Sequence, residues 1–274
     1  MINHKTLGID KGFWWKNSRA SGYSPEVHLY IDRFLTLPNK DTLDQLAIFI
    51  DGIVADGIYN KIDEMWLYAT PSQQASLLGI KNIKDNTVIG TPAFTPYRGW
   101  QGDTLNVHAL NTNFIPSVDG VNHTLNSASF GVYSRTSQAF SRVDIGVSDG
   151  VRQSALMSAN TTLLNSRVAV NQGAIGASFA TFGDTLGLIA LIRTSNTNTR
   201  MFKSDHFVNQ NNTSTNLVTK PFYVLANNNN GAIASSSGKE LCFAFIGGLL
   251  TDTDITNLAT RLEAYLDFVG AGVV

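Results

Sequence analysis

The chain has 274 residues, 43% hydrophobic and 15% charged, with a formal net charge of -1. Lys and Arg occur singly rather than in clusters, so the electrostatic footprint of a nucleic-acid binder is missing. A single cysteine, Cys242, excludes an intrachain disulfide, and no run approaches the ~20 apolar residues that a membrane-spanning helix needs.

The opening "MINHKTLGIDKGFWWKN" lacks the cationic segment and long apolar run of a secretory signal, which points to folding in a cytoplasm. Residues 1–21 read as an N-terminal arm in which Phe13, Trp14 and Trp15 sit between polar flanks. Such aromatics are preferred interface anchors, so they dock either on another chain or on the body of their own.

Residues 22–274 read as one β-rich unit, with a helical segment at 24–57 and a helix at 251–270. Ser24 suits an N-cap and Pro25 a first turn; Val27, Tyr30, Ile31 and Phe34 then form one apolar stripe that Pro38 ends. A second helix starts at Asp41, carries Leu43, Leu46, Ala47, Ile50, Ile53 and Val54 on one face, and stops at Gly57.

Beyond Gly57, the pattern changes to alternating or short, wholly apolar runs. "EMWLYAT", "ASFGVYSRT", "RVDIGVS", "QSALMSA", "LLNSRVAV", "ASFATF", "LGLIALIRT", "TRMFKS", "PFYVLAN" and "ELCFAFIGG" are the candidate strands. Stretches rich in Asn and Gly, such as "DGVNHTLNS" and "NNNNG", read as turns. Many short strands punctuated by turns predict a mainly β fold, an antiparallel sandwich of the jelly-roll kind. "LGLIALI" and "LCFAFI" are apolar throughout, so they belong at the centre of a sheet. At the end of the chain Thr251 caps a helix, Asp254 favours its positive end, and Leu250 with Ile255 is placed for a hydrophobic staple. Ile255, Leu258, Leu262, Leu266 and Val269, joined by Tyr265, form its buried stripe, and Gly270 stops it. This helix is expected to cover a face or edge of the sandwich.

No constellation for catalysis emerges. Retaining glycoside hydrolysis needs two carboxylates about 5–5.5 Å apart. The glutamates Glu26, Glu64, Glu240 and Glu263 have no acidic neighbour at i+2. His4, His28, His108, His123 and His206 lack metal-ligand spacing, and Asp103, Asp119, Asp144, Asp149 and Asp184 form no calcium loop, so neither a metal nor a cofactor is expected. Cys242, inside "LCFAF", reads as a small buried hydrophobe. Sugars stack on exposed aromatics flanked by amides and carboxylates. "PYRGWQGD" supplies Tyr97, Arg98, Trp100, Gln101 and Asp103 in one turn-rich loop, the best glycan-contact candidate in the chain. The plainer reading is a lid whose aromatics cap the core.

Four stretches resemble, in order and spacing, virion structural proteins of tailed bacteriophages and prophages that carry a concanavalin A-like (laminin-G-like) jelly roll. They are residues 41–82, Thr91 to Asp103, Asn126 to Thr136, and "FAFIGGLLTDTDITNLATRLEAYLDFVGA" from Phe243. The resemblance covers roughly residues 24–272. It departs at Thr199 to Phe207, and at Thr104, where the group has glycine. It implies a concanavalin A-like sandwich with two N-terminal helices and one C-terminal helix packed on it. It also implies a non-enzymatic tail, fibre or capsid-decoration protein, assembled in a host cytoplasm and displayed on the virion. Other virion proteins would be its partners, with Phe13, Trp14 and Trp15 at the interface, a homo-oligomer (a trimer by analogy) its state, and a host surface glycan a potential ligand. The competing expectation is a glycan-binding, lectin-like module or a polysaccharide depolymerase.

Overall fold

A strand that is apolar at every position must be covered on both faces, and the structure shows what covers these. The computed structural model describes residues 22–138, 142–158, 166–173, 178–180, 184–204 and 206–274; Phe13, Trp14 and Trp15 lie outside them. Its helices are α1 (Pro25–Ile31), α2 (Lys40–Ala55), α3 (Ile58–Lys61), α4 (Gln73–Ser76), α5 (Pro116–Asp119) and α6 (Asp252–Phe268). One sheet runs β13 (His206–Asn211), β12 (Asn198–Lys203), β11 (Gly187–Arg193), β6 (Ala128–Ser134), β17 (Glu240–Gly247), β4 (Gly99–Gln101), β3 (Ala93–Thr95), with β1 (Ile62–Leu67) also paired to β17. The second runs β10 (Ser178–Ala180), β9 (Ser166–Gln172), β8 (Gln153–Ser158), β7 (Arg142–Ser148), β14 (Tyr223–Val224), β5 (Ala109–Asn111), β2 (Thr87–Ile89). The hairpin β15 (Asn227–Asn229) and β16 (Ala232–Ala234) joins it through β7.

The first sheet lies between the helices and the second sheet. On β11, Leu188, Ala190 and Ile192 pack into the helix-side cluster, while Ile189 and Leu191 pack into the inter-sheet cluster. On β17, Phe243 and Phe245 face the helices, and Leu241, Ala244 and Ile246 face the other sheet. Both strands are central, as their composition requires. Gly131 on β6 leaves the space that the Phe245 ring fills; an added Cβ there would collide with that ring and with the Ile189 carbonyl.

The closing helix forms as its sequence predicts. Thr251 and Asp254 complete a capping box, and Ile255, Leu258, Leu262, Tyr265 and Leu266 are buried. Each buried aliphatic side chain of this size contributes about 1.5–3 kcal/mol, which favours docking over solvation. Arg261 reaches Asp56 at the end of α2 (Nε–Oδ2 2.5 Å), and Lys61 of α3 reaches Asp254 (2.6 Å), so α6 is tied to the N-terminal helices. The guanidinium of Arg261 holds the Asp56 carboxyl below the usual carboxylate range.

The fold is the expected mainly β jelly-roll sandwich with helices packed on one sheet, and the differences from expectation are local. The first helix ends at Ile31, well before Pro38, because tertiary partners capture the backbone beyond it: Gln74 accepts from the Leu35 N–H through Oε1 and donates to the Arg33 carbonyl through Nε2. Phe34 is still buried. Strands β2 to β5, β13 and β16 lie outside the runs read as strands, β15 overlaps one only at Asn227, and most of them span three residues, too short to display a period of two. "NNNNG" is a hairpin turning at Asn230 and Gly231, both at positive φ, and its strand β15 pairs with β7 in parallel rather than antiparallel.

Candidate functional site

The loop carrying Tyr97, Arg98, Trp100, Gln101 and Asp103 begins with a tight turn. The Arg98 N–H donates to the Thr95 carbonyl (3.0 Å) across Pro96 and Tyr97, and Tyr97 has φ +59°. Pro at the second position and a left-handed third residue are the pattern of a type II turn, where glycine is the favoured third residue. Gly99 follows at φ +112°, pressed so close to the Leu241 carbonyl that a Cβ could not fit, which lets β4 pair with β17.

This geometry sends the five side chains to different places. Trp100 is 1% exposed: its Nε1–H donates to Ser76 Oγ (2.9 Å) and its ring packs on Phe94 at 5.1 Å. Trp100 therefore caps the core, and its face is closed to a ligand. Arg98 is committed to the Glu240 carboxylate (3.3 and 3.1 Å). Gln101 is exposed on β4. Asp103 accepts from the Leu105 N–H (2.9 Å) and contacts His108 (3.1 Å). Of the five, Tyr97 alone lines a groove of about 290 Å³, walled by Asn39, Asp41 and Thr42 at the start of α2 and by Phe268 and Val269 at the end of α6. Phe268 is 47% exposed. It was missed in the sequence, where its signal is an aromatic off the buried stripe, two residues after Leu266 and two before the helix-stopping Gly270.

A larger cleft of about 460 Å³ lies on the other side of α6, over β6, β11 and β12. Its floor is Leu188 and Phe202, and Glu263 and Asp267 stand one turn apart on its helical wall. The Tyr133 hydroxyl donates to Glu263 Oε2 (2.5 Å) and accepts from the Val273 N–H (3.0 Å), while Glu263 Oε1 accepts from the same N–H (3.1 Å). Burial first, and then Glu263, push the Tyr133 phenol far above its ordinary range. The pair thus pins the chain after α6 to the sheet, and the phenol is held protonated.

Several other polar constellations lie in the interior. Asp144, grouped with the loop aspartates in the sequence, is instead inside β7, where a register shift turns it to the interior. Its Oδ2 lies 3.1 Å from Lys239 Nζ, both side chains being 0% exposed. Ser237 Oγ donates to Asp144 Oδ1 (2.7 Å), and Ser158 bonds both the carboxylate and the ammonium. Glu64 accepts four backbone N–H groups, from Met65, Lys81, Asn82 and Lys84 (2.8–3.0 Å), and so organises the loop after α4. Burial pushes its carboxyl up while those amides pull it down. His123 is buried between Phe114 and Phe222, its Nε2 3.4 Å from Asn171 Oδ1, and burial lowers its pKa to about 4. Cys242 is buried, and its thiol is pushed well up. Asp119, Asp149 and Asp184 are engaged by Lys84, Arg152 and Lys203. Among the described residues, no group of three or more His, Cys, Asp or Glu converges as a metal site would.

No family profile and no curated protein sequence matches the chain. Among solved structures, the chain is similar to the Ruminococcus gnavus IT-sialidase CBM40 at 14% identity and TM-score 0.38, over 49% of this chain and 83% of that one. It is similar to a mutant of Trypanosoma rangeli sialidase displaying trans-sialidase activity at 8% identity and TM-score 0.46, covering 86% of this chain but 39% of that one. A third is domain 4 of AbnA, an extracellular arabinanase from Geobacillus stearothermophilus, in complex with arabinotriose, at 14% identity and TM-score 0.43 over 73% of this chain and 98% of that one.

Proposed function

We propose that this chain is a lectin-like sandwich module that binds carbohydrate, without cleaving it, in the groove between Tyr97 and Phe268. The observation that carries this reading is Tyr97 itself. A non-glycine residue at φ +59° costs on the order of 1 kcal/mol or more, and glycine would fill that turn position without strain. The strain holds a phenol ring at the groove, across from a half-exposed phenyl ring. Two aromatic walls suit the C–H faces of a sugar, and the carboxylate, amide and hydroxyl of Asp41, Asn39 and Thr42 suit its hydroxyl groups.

The test is Tyr97→Gly on a glycan array and by calorimetry. The variant should be at least as stable as the parent but should bind about tenfold more weakly or worse, the effect of losing about 1.4 kcal/mol of stacking. Unchanged binding would remove the groove from consideration. Release of reducing ends from a bound polysaccharide would convert the reading to a depolymerase.

A second reading places the module on a phage particle. It is supported by where the resembling stretches fall: α2, β1, β4, β6, β17 and α6 form one contiguous framework, with β17 pairing β1, β4 and β6, and α6 tied to the end of α2. In this reading residues 1–21, with Phe13, Trp14 and Trp15, attach the module to other virion proteins. Particles assembled with a chain lacking residues 1–20 should then carry less of it, and normal incorporation would rule the anchor out. Light scattering of the purified chain tests for a trimer.

A further inference from the structure

We infer that the Tyr97–Phe268 groove selects neutral oligosaccharides and rejects those bearing carboxylates, such as sialosides and uronates. The inference rests on the carbohydrate reading of that groove. Among the described residues, its one charged lining residue is Asp41. Phe268 and Val269 belong to the end of α6, where the helix dipole presents its negative pole. The opposite wall is the start of α2, where Asn39 Oδ1 accepts from the Thr42 N–H (2.9 Å) and Asp41 places a carboxylate in the first turn against the positive pole.

The cations nearest in sequence to the lining residues are committed elsewhere. Lys40 Nζ bonds both carboxylate oxygens of Asp44 (2.8 and 2.6 Å), and Asp44 also accepts from the Tyr23 hydroxyl (2.6 Å). Arg98, beside Tyr97, is held by Glu240. A ligand carboxylate entering the groove would lose hydration next to Asp41 and gain no counter-ion among the described residues, an arrangement that disfavours the charged ligand. A neutral sugar meets no such opposition, and its hydroxyl groups can donate to the Asp41 carboxylate, a charge-assisted bond.

The experiment uses the full chain on an array of matched pairs, each a neutral oligosaccharide and its sialylated or uronate counterpart, at about 0.02 M and 0.5 M salt. Neutral members should bind at least about tenfold better than their acidic partners. That preference should shrink at high salt and in Asp41→Asn, an exposed position whose change leaves the cap bond in place. Equal or stronger binding of the acidic members, lost in Tyr97→Gly, would overturn the inference while leaving the groove a carbohydrate site. A preference for neutral members that Asp41→Asn leaves unaltered would also overturn it. Binding of no glycan at all would instead overturn the carbohydrate reading, and the selectivity with it.

Discussion

His123 offers a way to measure how closed the interior is. Its ring is fully buried, edge-on to Phe114 and Phe222, and its pKa falls from 6.5 to about 4 because burial disfavours the imidazolium. In the unfolded chain it returns to its ordinary value. Between these two values the unfolded chain binds a proton that the folded chain refuses, so acidification favours unfolding. The full gap is worth about 3.4 kcal/mol, reached only below pH 4, and at pH 5 the loss is about 2 kcal/mol. The carboxylates whose pKa values are lowered, at Asp44, Asp56, Asp149, Asp184 and Asp254, act in the same direction but only as pH falls below their ordinary value of 3.8. The buried Glu64 carboxyl, pushed up, acts in the opposite direction, but it is common to parent and variant, so the difference between them over pH 5–7 reports His123. The perturbation is His123→Leu, which keeps an apolar group of similar size among the rings. Urea unfolding at pH 7 and pH 5 should show the parent losing about 2 kcal/mol more than the variant over that interval. Equal losses, or a His123 ring signal titrating near 6.5 by NMR, would refute the reasoning.

Two further outcomes follow from the same interior. Lys239→Ala leaves the Asp144 carboxylate buried without its cation and should cost about 3–5 kcal/mol in denaturant unfolding, whereas Lys239→Met combined with Asp144→Leu should recover most of that loss. Trp100→Ala should remove about 3–5 kcal/mol through a core cavity and the orphaned Ser76 bond, so a fall in ligand binding by this variant should track its loss of fold by circular dichroism.

Much of this molecule is written locally. The helix from Asp252 to Phe268 needs only its own cap, staple, stripe and terminal glycine to be read, because every one of those signals lies within a turn or two of its neighbours. The central strands are equally legible, since covering both faces demands apolar residues at every position. Three-residue strands such as β3 and β4 are not, because β4 is held by β17, which lies far away in sequence, and β3 joins the sheet only through β4. The loop at 97–103 shows the division most sharply. Its composition marks it as aromatic and polar, but five neighbouring side chains cannot all face one way. Tertiary contacts sort them: Ser76 draws Trp100 inward, Glu240 holds Arg98, and a left-handed turn leaves Tyr97 at the groove. Asp144 reads as a loop acid until Lys239, which is remote in sequence, closes over it. Residue pattern alone determined a helix-covered sandwich; which side chains reach solvent was decided by contacts between distant segments, since exposure is a property of the packed chain and not of any stretch within it.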